Sequence, residues 1–226
     1  MTALIGDGPP DATVTMAGGP PATLAHVDVA SGRTHPLDQH LIEVGALAQG
    51  FTEAFGAGPW GLVAGLVHDL GKSSSQFQRR LQGALEAVDH STAGAQWLFK
   101  HFGPTGRLLA YAVAGHHAGL PNGTDETQRS LTARLDKVVP TWDLELLTAL
   151  DAPEALGAFP ICVANGQRRE FQVGFLIRMA FSCLVDADFL DTERFFTPAQ
   201  GHQRGGYPSL TACEASNRSG PSEALN

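Results

Sequence analysis

The chain has 226 residues, a formal net charge of −8 and 43% hydrophobic residues, which suits one soluble domain with a full core and no need of cross-links. No apolar run approaches the ~18 residues of a membrane span, and the acidic balance argues against tight autonomous binding to nucleic acid, whose usual footprint is a basic surface. Three scattered cysteines, Cys162, Cys183 and Cys213, include no CxxC pair; they form neither a disulfide framework nor a thiolate zinc site and, with no secretory signal visible, point to a reducing cytoplasm.

Residues 1–22, rich in Gly, Pro, Ala and Thr, read as a disordered leader. The segment 23–36 predicts one extended stretch and a turn at Ser31-Gly32. Helix then follows helix. Over 36–55, Leu37, Leu41, Val44, Leu47 and Phe51 repeat at helical spacing behind Pro36. The stretch 59–70 opens on proline, stops at Gly71 and is apolar nearly all round, so it should lie centrally. Further helices are predicted at 73–83, 90–102, 105–116, 125–138 and 141–149. The longest falls within 168–195, where Phe171, Phe175, Met179 and Cys183 recur every four residues. From about 200 the chain turns polar, and 201–226 reads as a flexible tail. Strand signals are nearly absent, so the expected class is all-α, with one domain over 23–200.

Chemistry-bearing residues recur along this pattern. His68 and Asp69 sit side by side in "GLVHDLGK", near the end of a buried helix. Alone, such a pair is more often structural: an aspartate on a backbone amide, a histidine at a helix C-terminus where the dipole favours a cation. Company changes that reading. His40 lies beside the apolar stripe of its helix. His90 opens a helix in "DHSTAGA", whose small residues would let helices approach closely; Asp89 or Ser91 capping is the plainer account of that motif. His116 and His117 end a helix in "AGHHAGLP", and packing seldom satisfies two adjacent imidazoles at one place. Asp186 and Asp188 stand on the long helix just past its most hydrophobic part, where a carboxylate is costly unless paired or metal-bound.

Imidazole and carboxylate donors without thiolate suit Mn, Fe, Co or Ni, with Mg or Zn also compatible. Five histidines and two aspartates are too many for one ion and match two divalent ions sharing an aspartate, an arrangement that serves phosphoryl displacement. Lys72, one turn past His68, can neutralise charge building on a phosphate; a solvated lysine at a helix end explains it equally well.

These segments, taken in order with "THPLDQHLIEVGALA", "SSSQFQRRL" and "IRMAFSCLVDADFLDTE", resemble the HD superfamily of metal-dependent phosphohydrolases, and within it the HD nuclease of type I CRISPR systems. The likeness runs from about 24 to 197. It implies an HD-domain helical bundle in which His40, His68, Asp69 and Asp186 hold one metal, Asp69 bridges to a second held with His90, His116 and His117, and Lys72 faces the phosphate. Asp186 is preferred to Asp188 because the family keeps the first aspartate of that run; two residues apart, about 200° round the helix, both cannot face one ion. The resemblance further implies cutting of single-stranded DNA, sometimes RNA, in antiviral defence, with the strand delivered by a helicase and an RNA-guided surveillance complex. The chain holds no GxxxxGK[ST] motif, so the expected helicase is a separate subunit, or the chain is a fragment.

Two other activities and one inactive state compete. A cyclic-dinucleotide phosphodiesterase of the same superfamily would carry a Gly-Tyr-Pro element close behind the double histidine; here "GGYP" stands far downstream at 205–208. A simple nucleotidase leaves His90, His116 and His117 without a task. A catalytically silent docking module would not need the candidate ligands.

Overall fold

A computed structural model describes residues 22–199 apart from 126, 128 and 163–165. The predicted leader, Ala22 excepted, and the predicted tail, including "GGYP" and Cys213, lie outside the described residues. The class is all-α as expected, with one small addition. β1 (Leu24–Asp28) and β2 (Arg33–Pro36) pair as an antiparallel hairpin where the sequence predicted a single extended stretch. Gly32 closes its turn at φ +74°. The Asp28 carboxylate steadies it by accepting from the Ala30 amide at 3.1 Å and pairing with Arg33 at 3.3 Å.

Helices α1 (Leu37–Glu53) and α2 (Gly58–Val67) form the closest-packed pair. On α1 the stripe Leu37, Leu41, Val44 and Ala48 is fully buried, and α2 is buried nearly all round through Trp60, Val63, Ala64, Leu66 and Val67. Backbone meets backbone at their crossing: a Cβ on Gly65 would lie 2.5 Å from the Gly45 Cα. Helix α2 passes through His68 and Asp69 into a 3-10 turn, Leu70–Ser73, and then α3 (Ser75–Leu81), whose first turn Ser74 caps by accepting from the Phe77 amide at 3.3 Å.

Helix α4 (Ser91–Gly115) joins the predicted 90–102 and 105–116 helices across a kink at Gly103, which sits at φ +57° just before Pro104. Two predicted helices shrink: α5 spans Leu131–Leu135 and α6 Glu145–Ala149. Before α5, the Asp125 carboxylate accepts from Asn122 Nδ2 at 2.7 Å and from the Thr127 amide and hydroxyl at 3.1 and 2.6 Å. Those local bonds hold a loop until Ser130 caps the helix.

The last helix, α7 (Arg169–Phe196), packs against α1, α2 and α4. Its buried face is Leu176, Ala180, Leu184, Ala187 and Asp191. The aromatic repeat read from the sequence points elsewhere: Phe171, Phe175 and Met179 are exposed. Small and aliphatic residues let α7 close on three other helices, whereas Phe171 and Phe175 stay on the outer face. Among the described residues, no helix is long and apolar enough to cross a membrane.

Candidate metal centre

Four helices and one turn deliver the site. His40 projects from the buried stripe of α1. His68 keeps helical dihedrals (φ −58°, ψ −34°), whereas Asp69 leaves the helix (φ −114°, ψ 20°). That break lets two adjacent side chains converge instead of diverging by the ~100° of a regular helix. Three residues on, the buried Lys72 places Nζ 2.6 Å from Asp69 Oδ2. The "FQ" after it has a structural task, since Gln78 Nε2 donates to the Lys72 carbonyl at 2.7 Å and to the Leu24 carbonyl at 2.9 Å, tying the turn to β1.

His90 stands at the N-cap position of α4. Capping itself falls to Asp89, whose carboxylate accepts from the Thr92 amide at 3.1 Å and hydroxyl at 2.8 Å, so the plain reading of that motif is correct and leaves the His90 ring free of the capping task. Gly71 explains the glycine of "HDLGK": its amide donates to the His90 carbonyl at 3.2 Å, and a Cβ there would lie 2.6 Å from the His90 Cα. The expected close approach of "TAGA" is also present, with Gly94 set directly against the Val67 carbonyl. His116 and His117 lie where α4 ends, ring centroids 3.9 Å apart.

The side chains converge on the two oxygens of Asp69. Around Oδ2 lie His40 Nε2 and His68 Nε2, both at 3.3 Å. Around Oδ1 lie His90 Nε2 and His116 Nε2, both at 3.4 Å, with His117 Nε2 2.8 Å from His90 Nε2. The fourth member of the first group is Asp188, whose Oδ1 is 3.5 Å from His40 Nε2 and 3.6 Å from His68 Nε2. Asp186 is not there: it lies on the exposed side of α7. The correction has a plain cause. Asp188 is one turn beyond buried Leu184, whereas the aromatic repeat that drew attention in the sequence marks the outer face.

Ring nitrogens on the far side fix how the imidazoles are protonated. His68 Nδ1 donates to the Gly65 carbonyl and His116 Nδ1 to the Val113 carbonyl, each at 2.7 Å. His40 Nδ1 donates to Asp191 Oδ2 at 2.6 Å. A carbonyl or carboxylate only accepts, so each Nδ1 carries the proton and each Nε2 of a neutral ring presents a lone pair. Those three Nε2 atoms and both Asp69 oxygens are buried without a hydrogen-bond partner, the Lys72 ion pair apart. Lone pairs facing carboxylate oxygens at such distances repel unless a cation or proton lies between them.

Charge follows from this crowding. Burial disfavours the charged form of His68, but Asp69 and Asp188 outweigh it and push the imidazole up to about 10. Burial likewise opposes ionisation of Asp69 and Asp188, yet Lys72 and His68 hold Asp69 well below the usual carboxylate range, and His68 does the same for Asp188. Burial and neighbouring His116 bring His117 down to about 4, so it is neutral and ready to donate a lone pair near neutrality.

The donor set therefore fits metal. Among the described residues four groups have ligand atoms no more than 4.8 Å apart; two of them share Asp69, His40–His68–Asp69–Asp188 and Asp69–His90–His116–His117, and the other two, His26–His35–His40 and His35–Glu43–Asp191, lie beside the first. The donors are all imidazole and carboxylate, as borderline-hard divalent ions prefer.

Comparison with known families agrees. Residues 37–142 match the HD domain, a range that contains His40, His68, Asp69, Lys72, His90, His116 and His117 and stops short of α7. The match supports the HD phosphohydrolase superfamily of metal-dependent hydrolases, whose domains bind divalent metals. No curated protein matches the chain.

Proposed function

We propose that this HD-domain chain is a two-metal phosphodiesterase that cuts single-stranded DNA or RNA as the nuclease subunit of a type I CRISPR defence system. One observation carries the hydrolytic part: a single fully buried carboxylate, Asp69, offers one oxygen to each of two imidazole groups. A mononucleotidase built on one ion gives His90, His116 and His117 no role, yet they are gathered as closely as the first set.

The first ion would be held by His40, His68, Asp69 and Asp188, and the second by Asp69, His90, His116 and His117. Divalent ions bound there supply Lewis acidity toward phosphoryl oxygens and a nucleophile from water at neutral pH. The chain supplies the rest. Asp69 and Asp188 set the charge of the pocket, and main-chain carbonyls lock His68 and His116 in the tautomer that ligates. Lys72 is committed to Asp69 Oδ2 and adds positive charge beside the reacting phosphate. His117 is exposed and His90 partly so, whereas Asp69 is sealed. Substrate therefore enters over the second group, an open approach that suits a strand passing across the surface.

The nuclease reading and its defence setting rest on the ordered motif set from "THPLDQH" to "LVDADFLDTE". The net charge of −8 supports a subunit that receives its strand from a separate helicase and an RNA-guided surveillance complex instead of capturing it alone. The test is hydrolysis of single-stranded DNA, single-stranded RNA, cyclic dinucleotides and nucleoside triphosphates by one manganese-loaded preparation. Strand cutting at the expense of the other substrates is expected; turnover of cyclic dinucleotides alone would replace this reading with the phosphodiesterase one.

A further inference from the structure

We infer that Asp191 is a positioning residue for the first metal group, acting through His40; the inference rests on the two-metal reading above. Among the imidazoles that face Asp69, His68 and His116 are anchored through Nδ1 by carbonyls three residues earlier in their own helices, and His90 leans on the Val88 carbonyl at 3.3 Å. No side-chain substitution removes those anchors. His40 differs. Its Nδ1 donates to a carboxylate 151 residues away, Asp191 Oδ2, at 2.6 Å.

Asp191 is 1% exposed and lies three residues beyond Asp188 on α7. One turn of one helix thus delivers both a ligand to the first group and the orienter of another. Its Oδ2, 2.6 Å from His40 Nδ1, sits where a carboxylate accepts the proton of a ring whose other nitrogen faces Asp69. A buried anion on the far side of a ligating imidazole does two things. It fixes the ring and its tautomer, and it makes Nε2 a stronger donor. Its second oxygen, Oδ1, has no hydrogen-bond partner, and on the Oδ2 side His35 Nδ1 lies 3.8 Å away, also without a partner. His40, at 2.6 Å, is a closer partner of the carboxylate than His35 at 3.8 Å, and Glu43 stands beside it as well. Among the described residues the second group has no equivalent, its imidazoles resting on main-chain carbonyls and on each other.

The experiment is a manganese titration of wild-type, Asp191→Asn and Asp191→Glu proteins, followed calorimetrically, with the imidazole tautomers read by long-range proton–nitrogen correlation in the metal-free proteins. Wild type should take up two ions. Asp191→Asn, the same shape without the charge, should weaken one by about ten- to a hundredfold and leave the other unchanged, with kcat for strand cutting lowered more than KM is raised. Asp191→Glu should restore part of the loss. A structural role alone would lower thermal stability without singling out one ion or altering the His40 tautomer signal. If wild type binds two ions and Asp191→Asn binds both equally well, this inference is overturned while the two-metal reading stands. If wild type binds none, both are overturned.

Discussion

The Gly71 amide donates to the His90 carbonyl across 3.2 Å, joining the turn that follows Asp69 to the start of α4. Through that bond the two metal groups are set relative to each other by main chain, because Asp69 lies two residues before one partner and His90 is the other. Replacing Gly71 with alanine puts a methyl 2.6 Å from the His90 Cα, so the two segments must part. Overpacking of this kind costs about 1–3 kcal/mol. Gly71→Ala should lower the melting temperature by several degrees, and a metal titration should show the ion at His90, His116 and His117 weakened more than its neighbour.

Asp69 is the ligand shared by both groups in the proposed two-metal site, so its loss should reach both. Asp69→Ala should abolish phosphodiester cleavage and reduce bound metal from two ions to less than one, as elemental analysis of the purified protein will show. It also leaves the Lys72 ammonium, 4% exposed, without its 2.6 Å partner. Removing one member of a buried ion pair costs about 3–5 kcal/mol, so the variant should unfold earlier in denaturant as well. Full cleavage by Asp69→Ala in a contamination-controlled assay would defeat the whole assignment.

The two aspartates on α7 separate cleanly. Asp188→Ala removes a carboxylate 3.5 and 3.6 Å from the His40 and His68 nitrogens and should cost at least two orders of magnitude in turnover together with one bound ion. Asp186→Ala alters an exposed position; its stability should stay within about 0.5 kcal/mol of wild type, with turnover unchanged. Equal loss in both variants would return Asp186 to the site.

This pair also marks where sequence legibility stops. The helical class, the helix breaks at Gly71 and Gly103, and the convergence of His40, His68, Asp69, His90, His116 and His117 were all readable, because glycine, proline and adjacent histidines carry local meaning. Which of two aspartates faces inward was not, since it depends on the rotation of α7. That rotation is set by packing of Leu176, Ala180 and Leu184 against three other helices, and the more conspicuous phenylalanine repeat lies on the other face. Asp191 and His35 escaped notice for a related reason: each gains its role from a partner far along the chain. The β1–β2 hairpin was half seen, its turn legible and its pairing not, because Leu24–Asp28 and Arg33–Pro36 are too short to show a period.

Acidity should act on the metal-free protein from both sides. The His68 pKa is pushed up to about 10 from 6.5, so its proton is held more tightly in the folded chain than in the unfolded one. That contribution is complete below 6.5 and is lost as the pH rises through 10. His117 and His26 are shifted the opposite way, to about 4 and about 3, burial being the largest cause in each. The unfolded chain therefore binds more protons than the folded one below 6.5, and stability falls as the pH drops from there. Chelator-treated protein should accordingly show its highest melting temperature near pH 6.5 and lose stability toward both pH 4 and pH 10. At the first group, metal acts on the alkaline limb. A divalent ion takes the place of the His68 proton, so its affinity should rise by about tenfold per pH unit below 10, one proton being released for that ion. Melting curves between pH 5 and 9, with manganese and with chelator, should separate progressively further as the pH rises; curves separated by a constant amount would mean that His68 carries no proton for the ion to displace.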